Sequence, residues 1–219
     1  MYFATGESIY ALKAGTGALL WTSTVAGRTT PPAVTSEAVY VLASGSVSAL
    51  NATTGVLLWS YFVGGYEDVG DDYDRYSPAV ANGVVYVASD NELTSWIYAL
   101  NATTGALLWS YPSYWSPEPP TVANGVVYFG DRGGALNALD ASTGALLWSR
   151  GFELVTGPVA IVDGTLFVES WDYYADVTAW GLPDGAGVSK ATRPDSATLQ
   201  RDSNLKVSQP VAKPPADDK

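Results

Sequence analysis

The stretch Ala99-Leu100-Asn101-Ala102-Thr103-Thr104-Gly105-Ala106-Leu107-Leu108-Trp109 recurs along this chain with small changes. Near copies lie at 10–21, 49–59 and 138–148, and a broken copy begins at Ala179-Trp180-Gly181 without reaching a closing Trp. Each copy reads as two strands about a turn. Tyr98-Ala99-Leu100 alternates toward an Asn, and Leu107-Leu108-Trp109-Ser110-Tyr111 is apolar and β-prone. The intervening Asn/Asp-Ala-Thr/Ser-Thr-Gly has the polar residues and late Gly of a tight hairpin turn. Gly17, Gly55, Gly105 and Gly144 hold the last turn position, where a positive φ would penalise any Cβ.

A second block precedes the later copies. It reads Pro78-Ala79-Val80-Ala81-Asn82-Gly83-Val84-Val85-Tyr86-Val87 and Pro120-Thr121-Val122-Ala123-Asn124-Gly125-Val126-Val127-Tyr128-Phe129, with relatives at 32–41 and 158–168. Asn-Gly between apolar runs is a strong hairpin signal. A full unit is therefore four short strands, a to d. The closing tryptophans Trp21, Trp59, Trp109 and Trp148 are 38, 50 and 39 residues apart. Four antiparallel strands repeated about every 40 residues specify a β-propeller blade. No segment carries an apolar 3.6-residue period, which excludes a helical solenoid.

The expected fold is thus an all-β propeller of four to five units, at about 1–27, 28–65, 66–115, 116–152 and 153–185. The first unit begins in the middle of strand b and the last runs from strand c into Pro183-Asp184-Gly185. Three strands plus three do not make one four-stranded blade, so either the first and last units are both defective blades of a small ring or, as the start in mid-strand favours, the expectation is an N-terminally truncated piece of a longer propeller; open edges favour self-association. Residues 186–219 hold four prolines, no aromatic residue and no period, and read as a flexible tail.

Composition removes several functions. The chain has 0 His and no Cys, so serine–histidine or cysteine–histidine catalysis, disulfides and thiolate metal sites are excluded. Residues 1–185 carry 5 basic and 18 acidic side chains, a net charge of −13. That balance opposes nucleic acid, whose phosphates need a basic face. No apolar run is long enough for membrane insertion as a helix.

The repeated Ala-Leu-Asn/Asp-Ala-x-Thr-Gly-x-x-x-Trp resembles the tryptophan docking motif of the PQQ-like β-propeller repeats, found in quinoprotein dehydrogenases and in non-catalytic BamB-like assembly scaffolds. The resemblance covers residues 1–185. It implies that Trp21, Trp59, Trp109 and Trp148 pack between neighbouring blades. It also implies a cell-envelope or extracellular setting. It brings no catalytic residue: the vicinal cysteines that hold the quinone cannot exist here, and no counterpart of the calcium-binding Glu and Asn or of the catalytic Asp stands in a matching context. PQQ is therefore not expected.

In a propeller the a–b and c–d turns share one face, and the b–c loops and d–a crossovers share the other. Length varies on the second face, where loops on a rigid scaffold carry binding. That face collects Tyr66, Asp72, Tyr73, Trp96, Trp115, Trp171 and Tyr173, with Asp131-Arg132 beside them. Aromatics among acids suit a protein or peptide partner; a solvated loop with its Tyr side chains folded back is the plainer reading. Asp68, Asp71, Asp72 and Asp74 supply hard oxygens of the kind Ca²⁺ prefers, although their spacing is not that of an EF-hand loop. Asn51-Ala52-Thr53 and Asn101-Ala102-Thr103 match the glycosylation sequon, but turn chemistry already explains both Asn residues. The reading is a non-enzymatic scaffold binding a protein through the b–c and d–a loops. The alternatives are a fragment of a PQQ-dependent dehydrogenase and a carbohydrate-binding propeller stacking sugars on Trp96, Trp115 and Trp171.

Overall fold

Each repeat folds as its own antiparallel sheet, with strands adjacent in chain order. The computed structural model describes residues 1–64, 77–90, 94–151, 157, 159–162, 165–172 and 174–181. The first sheet holds β1 (Tyr2–Thr5), β2 (Ser8–Leu12) and β3 (Leu19–Thr24). The second holds β4 (Ala33–Val34), β5 (Ala38–Ala43), β6 (Ser46–Asn51) and β7 (Leu57–Phe62). In the third are β8 (Ala79–Ala81), β9 (Val84–Asp90), β10 (Ser95–Asn101) and β11 (Leu107–Ser113). The fourth comprises β12 (Thr121–Ala123), β13 (Val126–Gly130), β14 (Ala135–Asp140) and β15 (Leu146–Gly151). The last has β16 (Ala160–Val162), β17 (Thr165–Asp172) and β18 (Tyr174–Gly181). The fold is the all-β one expected, with three complete four-stranded blades. Among the described residues β1 and β18 pair only within their own sheets, so no shared blade closes a ring.

Alternation explains why the middle strands are apolar on both sides. In β5 every residue is buried. Val39 and Val41 pack on Ile9, Ala11 and Trp21 of the first sheet, while Tyr40 and Leu42 pack on Val85, Val87 and Leu100 of the third. Each sheet is thus sandwiched, and the core is a series of junctions rather than one centre. Burying one such Val or Leu contributes about 1.5–3 kcal/mol. Strand d is outermost: Leu57 and Leu58 are exposed, and only alternate side chains turn inward.

A β-bulge recurs at the same place in four sheets. Ala49 pairs with Trp59 but Leu50 pairs with Leu57, and the same skip occurs at Ala11/Leu12, Ala99/Leu100 and Ala138/Leu139. The extra residue re-aims the strand so that the indole faces the next sheet. Trp21 Nε1 then donates to Ala52 O at 2.9 Å, Trp59 Nε1 to Ala102 O at 3.0 Å, and Trp109 Nε1 to Ala141 O at 3.0 Å. A tyrosine from strand b donates to the same carbonyl each time: Tyr2 to Ala52 at 3.0 Å, Tyr40 to Ala102 at 3.2 Å, and Tyr86 to Ala141 at 3.2 Å. Both lone pairs of each carbonyl are therefore used. The paired rings sit 5.8, 6.0 and 5.9 Å apart, and Tyr128 and Trp148 repeat the pair at 6.0 Å. Burial, with the nearby Asp140 charge adding to it, pushes the Tyr86 hydroxyl above its ordinary value, so the phenol stays a donor.

The turns follow their residue types. Asn82-Gly83 and Asn124-Gly125 have φ of 50° and 76°, and of 51° and 77°, as a two-residue primed hairpin turn requires. In the c–d turns Asn51 Oδ1 accepts from the backbone N–H of Thr53 and Thr54 at 3.0 and 2.9 Å. Asn101 does the same with Thr103 and Thr104. Asp140 takes this role in the fourth sheet, accepting from the Ser142 and Thr143 hydroxyls at 2.6 and 3.0 Å and from both backbone N–H groups. The Ser142 hydroxyl chiefly, with Thr143, holds the Asp140 carboxyl below its ordinary value. A depressed carboxyl contributes stability above its unfolded value and loses it as pH falls through the folded one. Asp140→Asn, which reproduces the Asn51 turn, is expected to remove that part of the pH dependence. Thermal melts of both proteins at about pH 7 and at progressively lower pH should show the wild-type advantage shrink as pH falls below the usual carboxylate range; an unchanged gap would place the stabilising proton-linked group elsewhere.

Candidate functional site

The two ends of the blades have different characters. At one end the c–d turn bonds to the a–b turn of its own sheet: Ala102 N to Gly83 O and Ala141 N to Gly125 O, both at 2.9 Å. At the other end the crossovers meet the b–c loops, with Thr30 N donating to Leu42 O at 3.0 Å, Val63 N to Gly45 O at 2.8 Å, and Arg132 N to Ser116 O at 3.0 Å. Loop and crossover together form the surface of this end.

Its best-defined part lies at the fourth sheet, where the crossover 114–120 meets the loop 131–134. Tyr114 is fully exposed and Trp115 is 61% exposed. Beneath the indole is Gly133, where a Cβ would stand 2.1 Å from Trp115 Cδ1. The glycine is thus the floor of the ring's seat, and any side chain would lift the indole off it. Pro117 bridges Asp131, and Glu118 N donates to Gly130 O at 2.8 Å, fastening the crossover to the loop.

The charged groups around this seat are sorted by burial. Asp131 is buried; its Oδ1 accepts from Gly133 N and Ala135 N at 3.0 Å, and its Oδ2 accepts from Asn137 Nδ2 at 3.1 Å. Those bonds shape the loop, so this carboxylate acts as a structural acceptor. Glu118 is buried too, with Oε1 3.8 Å from Nε of the more exposed Arg132. A buried carboxylate paired with a surface guanidinium keeps the planar cation at the junction of this crossover and loop. Tyr111 packs edge-on against Phe129 at 6.2 Å, and burial pushes its hydroxyl up, with Tyr114 and Asp131 adding to the shift. The seat therefore presents an indole, a phenol and a guanidinium on a fixed backbone, a composition that anchors protein interfaces.

The other residues expected on this face are distributed differently. Trp96 is not a loop residue: it lies in β10, half-buried, paired with Ser89 and Pro112, its ring 6.3 Å from Tyr98. Strand pairing continues through Asp90 and Ser95, so the b–c loop of the third sheet ends before Trp96. Trp171 is a strand residue of β17 paired with Ala175. Tyr66, Asp72, Tyr73 and Tyr173, and the acidic group Asp68, Asp71, Asp72 and Asp74, lie outside the described residues. Among the described residues no group of three or more acidic side chains is placed to hold a metal ion. Gly133 and Glu118 were not legible as site residues. A Gly-Gly pair after Asp131-Arg132 is the one local sign that the loop makes room for something, and a Glu between prolines gives no sign of burial.

Comparison with known proteins agrees with this architecture. A family model described as outer membrane protein assembly factor BamB matches residues 93–188. The structure of BamB from Moraxella catarrhalis superposes with a TM-score of 0.63 at 23% identity, over 80% of this chain and 53% of that one. The computationally designed Ika8 protein gives 0.66 at 17% identity, over 82% and 54%. Quinohemoprotein alcohol dehydrogenase from Comamonas testosteroni gives 0.60 at 18% identity, over 77% and 39%. The chain thus spans about half the length of the BamB structure it resembles. No curated protein matches the chain. Repeat sequence, blade topology and these likenesses agree on the fold: the chain is built of β-propeller blades and is similar to PQQ-like β-propeller proteins.

Proposed function

We propose that this chain is a non-enzymatic scaffold that binds a protein partner at the cell envelope through its b–c and d–a loop face. The observation that carries the reading is the pair Tyr114-Trp115, exposed on a crossover whose backbone is fastened to the neighbouring loop. An exposed aromatic pair on a rigid seat loses little conformational entropy on binding, and a nearby guanidinium adds hydrogen-bond direction. The likeness to an outer membrane protein assembly factor supports both a protein partner and the envelope setting. The acidic charge of the repeats directs the partner toward a basic or neutral surface. Among the described residues nothing favours a dehydrogenase reading: Asp131 is committed to its loop, and no three acidic side chains are placed to hold a metal ion.

The test is cross-linking from a photoreactive residue at position 114 in envelope preparations, followed by affinity measurement with the protein so captured. Trp115→Ala is expected to weaken binding about tenfold or more, as loss of a central aromatic anchor does, while Tyr114→Ala leaves the melting temperature unchanged because that side chain is fully exposed. A glycan-array signal abolished by Trp115→Ala, with no protein captured, would overturn the reading in favour of sugar stacking.

A further inference from the structure

Two kinds of asparagine turn meet at one end of the blades, and they are held differently. In the c–d turns both the side chain and the peptide after it are engaged. Asn101 Oδ1 accepts from Thr103 N and Thr104 N. The Asn101 carbonyl accepts from Gly105 N at 2.8 Å, and the next N–H, that of Ala102, donates to Gly83 O at 2.9 Å. Asn51 and Ala52 are held in the same way, with Glu37 O as the acceptor. In the a–b turns Asn82-Gly83 and Asn124-Gly125, all four residues are exposed. Among the described residues neither of these asparagine side chains, nor the N–H of Gly83 or Gly125, has a hydrogen-bond partner. Nothing lies within 4 Å of where a Cβ on either glycine would stand.

An asparagine in that setting can cyclise. The Gly83 nitrogen gives up its proton and bonds to Asn82 Cγ, and the side-chain nitrogen leaves as ammonia. Water then opens the five-membered imide at either carbonyl, leaving aspartate or isoaspartate, and no other reactant enters. Glycine lacks the Cβ that would crowd the approach. We propose that the unheld turns Asn82-Gly83 and Asn124-Gly125, in contrast to the held ones at 51 and 101, are succinimide-forming modification sites, and that isoaspartate in either loosens the blade junction beside it. The second half follows from what these turns hold. Gly83 O anchors Ala102 N, and Ala102 O is the acceptor shared by Trp59 and Tyr40. Gly125 O anchors Ala141 N, and Ala141 O is the acceptor shared by Trp109 and Tyr86. Isoaspartate runs the backbone through one more carbon, so the two-residue turn geometry is lost and the glycine carbonyl leaves its donor. The junction of the first and second sheets is anchored by Ala52 N on Glu37 O, with Ser36-Glu37 in the turn, and so has no such site.

The test is to age the folded full chain in warm, mildly alkaline buffer and map its peptides by mass, with an isoaspartyl carboxyl methyltransferase as the probe. Isoaspartate is expected at 82 and 124 and not at 51 or 101. Ala102→Gly puts the same Asn-Gly pair into a held turn. That turn should stay unmodified while the chain is folded and convert once the chain is unfolded in denaturant. Tryptophan fluorescence checks that each variant is folded. The denaturant midpoint of the aged wild type should fall, and that of the double variant Asn82→Gly, Asn124→Gly should not, because glycine keeps the positive φ and removes the amide. Intact Asn82 and Asn124 in the aged, folded chain overturn the proposal. Conversion of the Ala102→Gly turn as fast as Asn82 while folded overturns it too, since the sites would then be chosen by dipeptide and not by hydrogen bonding. A midpoint that stays in place despite isoaspartate overturns the anchoring role of the two turns.

Discussion

Trp109→Ala is expected to destabilise the chain by about 3–5 kcal/mol, the range for truncating a buried Trp. The indole is 8% exposed, packs among Tyr86, Ile97 and Ala99 of its own sheet and Val127, Phe129 and Leu139 of the next, and donates to Ala141 O. It therefore joins two blades rather than filling one. Truncation opens a void at the junction and removes one of the two donors to that carbonyl; Tyr86 remains. Trp109→Phe keeps a six-membered ring but loses the N–H and the rest of the indole, so it should cost about 1 kcal/mol from the hydrogen bond plus a packing loss smaller than that of alanine. The check is the denaturant midpoint of both variants. If alanine and phenylalanine cost the same, the hydrogen bond and not the packed ring would hold the blades together.

The second large effect separates two roles of the turn glycine. Gly17 and Gly105 have nearly the same φ, 69° and 72°. An alanine at either position adopts a left-handed conformation at a cost of about 1–2 kcal/mol. At Gly17 nothing more happens, because the space is open. At Gly105 the new Cβ would stand 2.7 Å from Cδ2 and Cε3 of Trp59, so the indole must move off its carbonyl, adding an overpacking cost of about 1–3 kcal/mol. Gly105→Ala should thus be distinctly worse than Gly17→Ala in equilibrium unfolding. In a Trp59→Ala background the excess should disappear, since neighbouring groups in contact are not additive. Equal costs at the two glycines would mean that turn geometry alone selects them.

These two cases show where sequence and tertiary structure divide. The repeated Asn-Gly turns, the alternating apolar runs and the tryptophan spacing determined the blade, its strand order and the two incomplete ends, because hairpins depend on contacts between residues close in the chain. The sequence also showed that the glycines need positive φ. What it could not show was the second reason for them. The indole that lies over Gly105 comes from Trp59, and the tyrosine that shares its acceptor comes from strand b of that same preceding sheet. Such junctions form only when one blade stacks on the next, so Tyr2, Tyr40 and Tyr86 looked like ordinary strand residues. The candidate site divides in the same way. Trp115 was legible from its place on a crossover between two repeats. The floor at Gly133, the burial of Glu118 and the commitment of Asp131 to its loop were not, since each depends on a crossover and a loop that meet only in space. Local backbone preference wrote the blades into the sequence; packing between blades decided which of their side chains join and which remain free to bind.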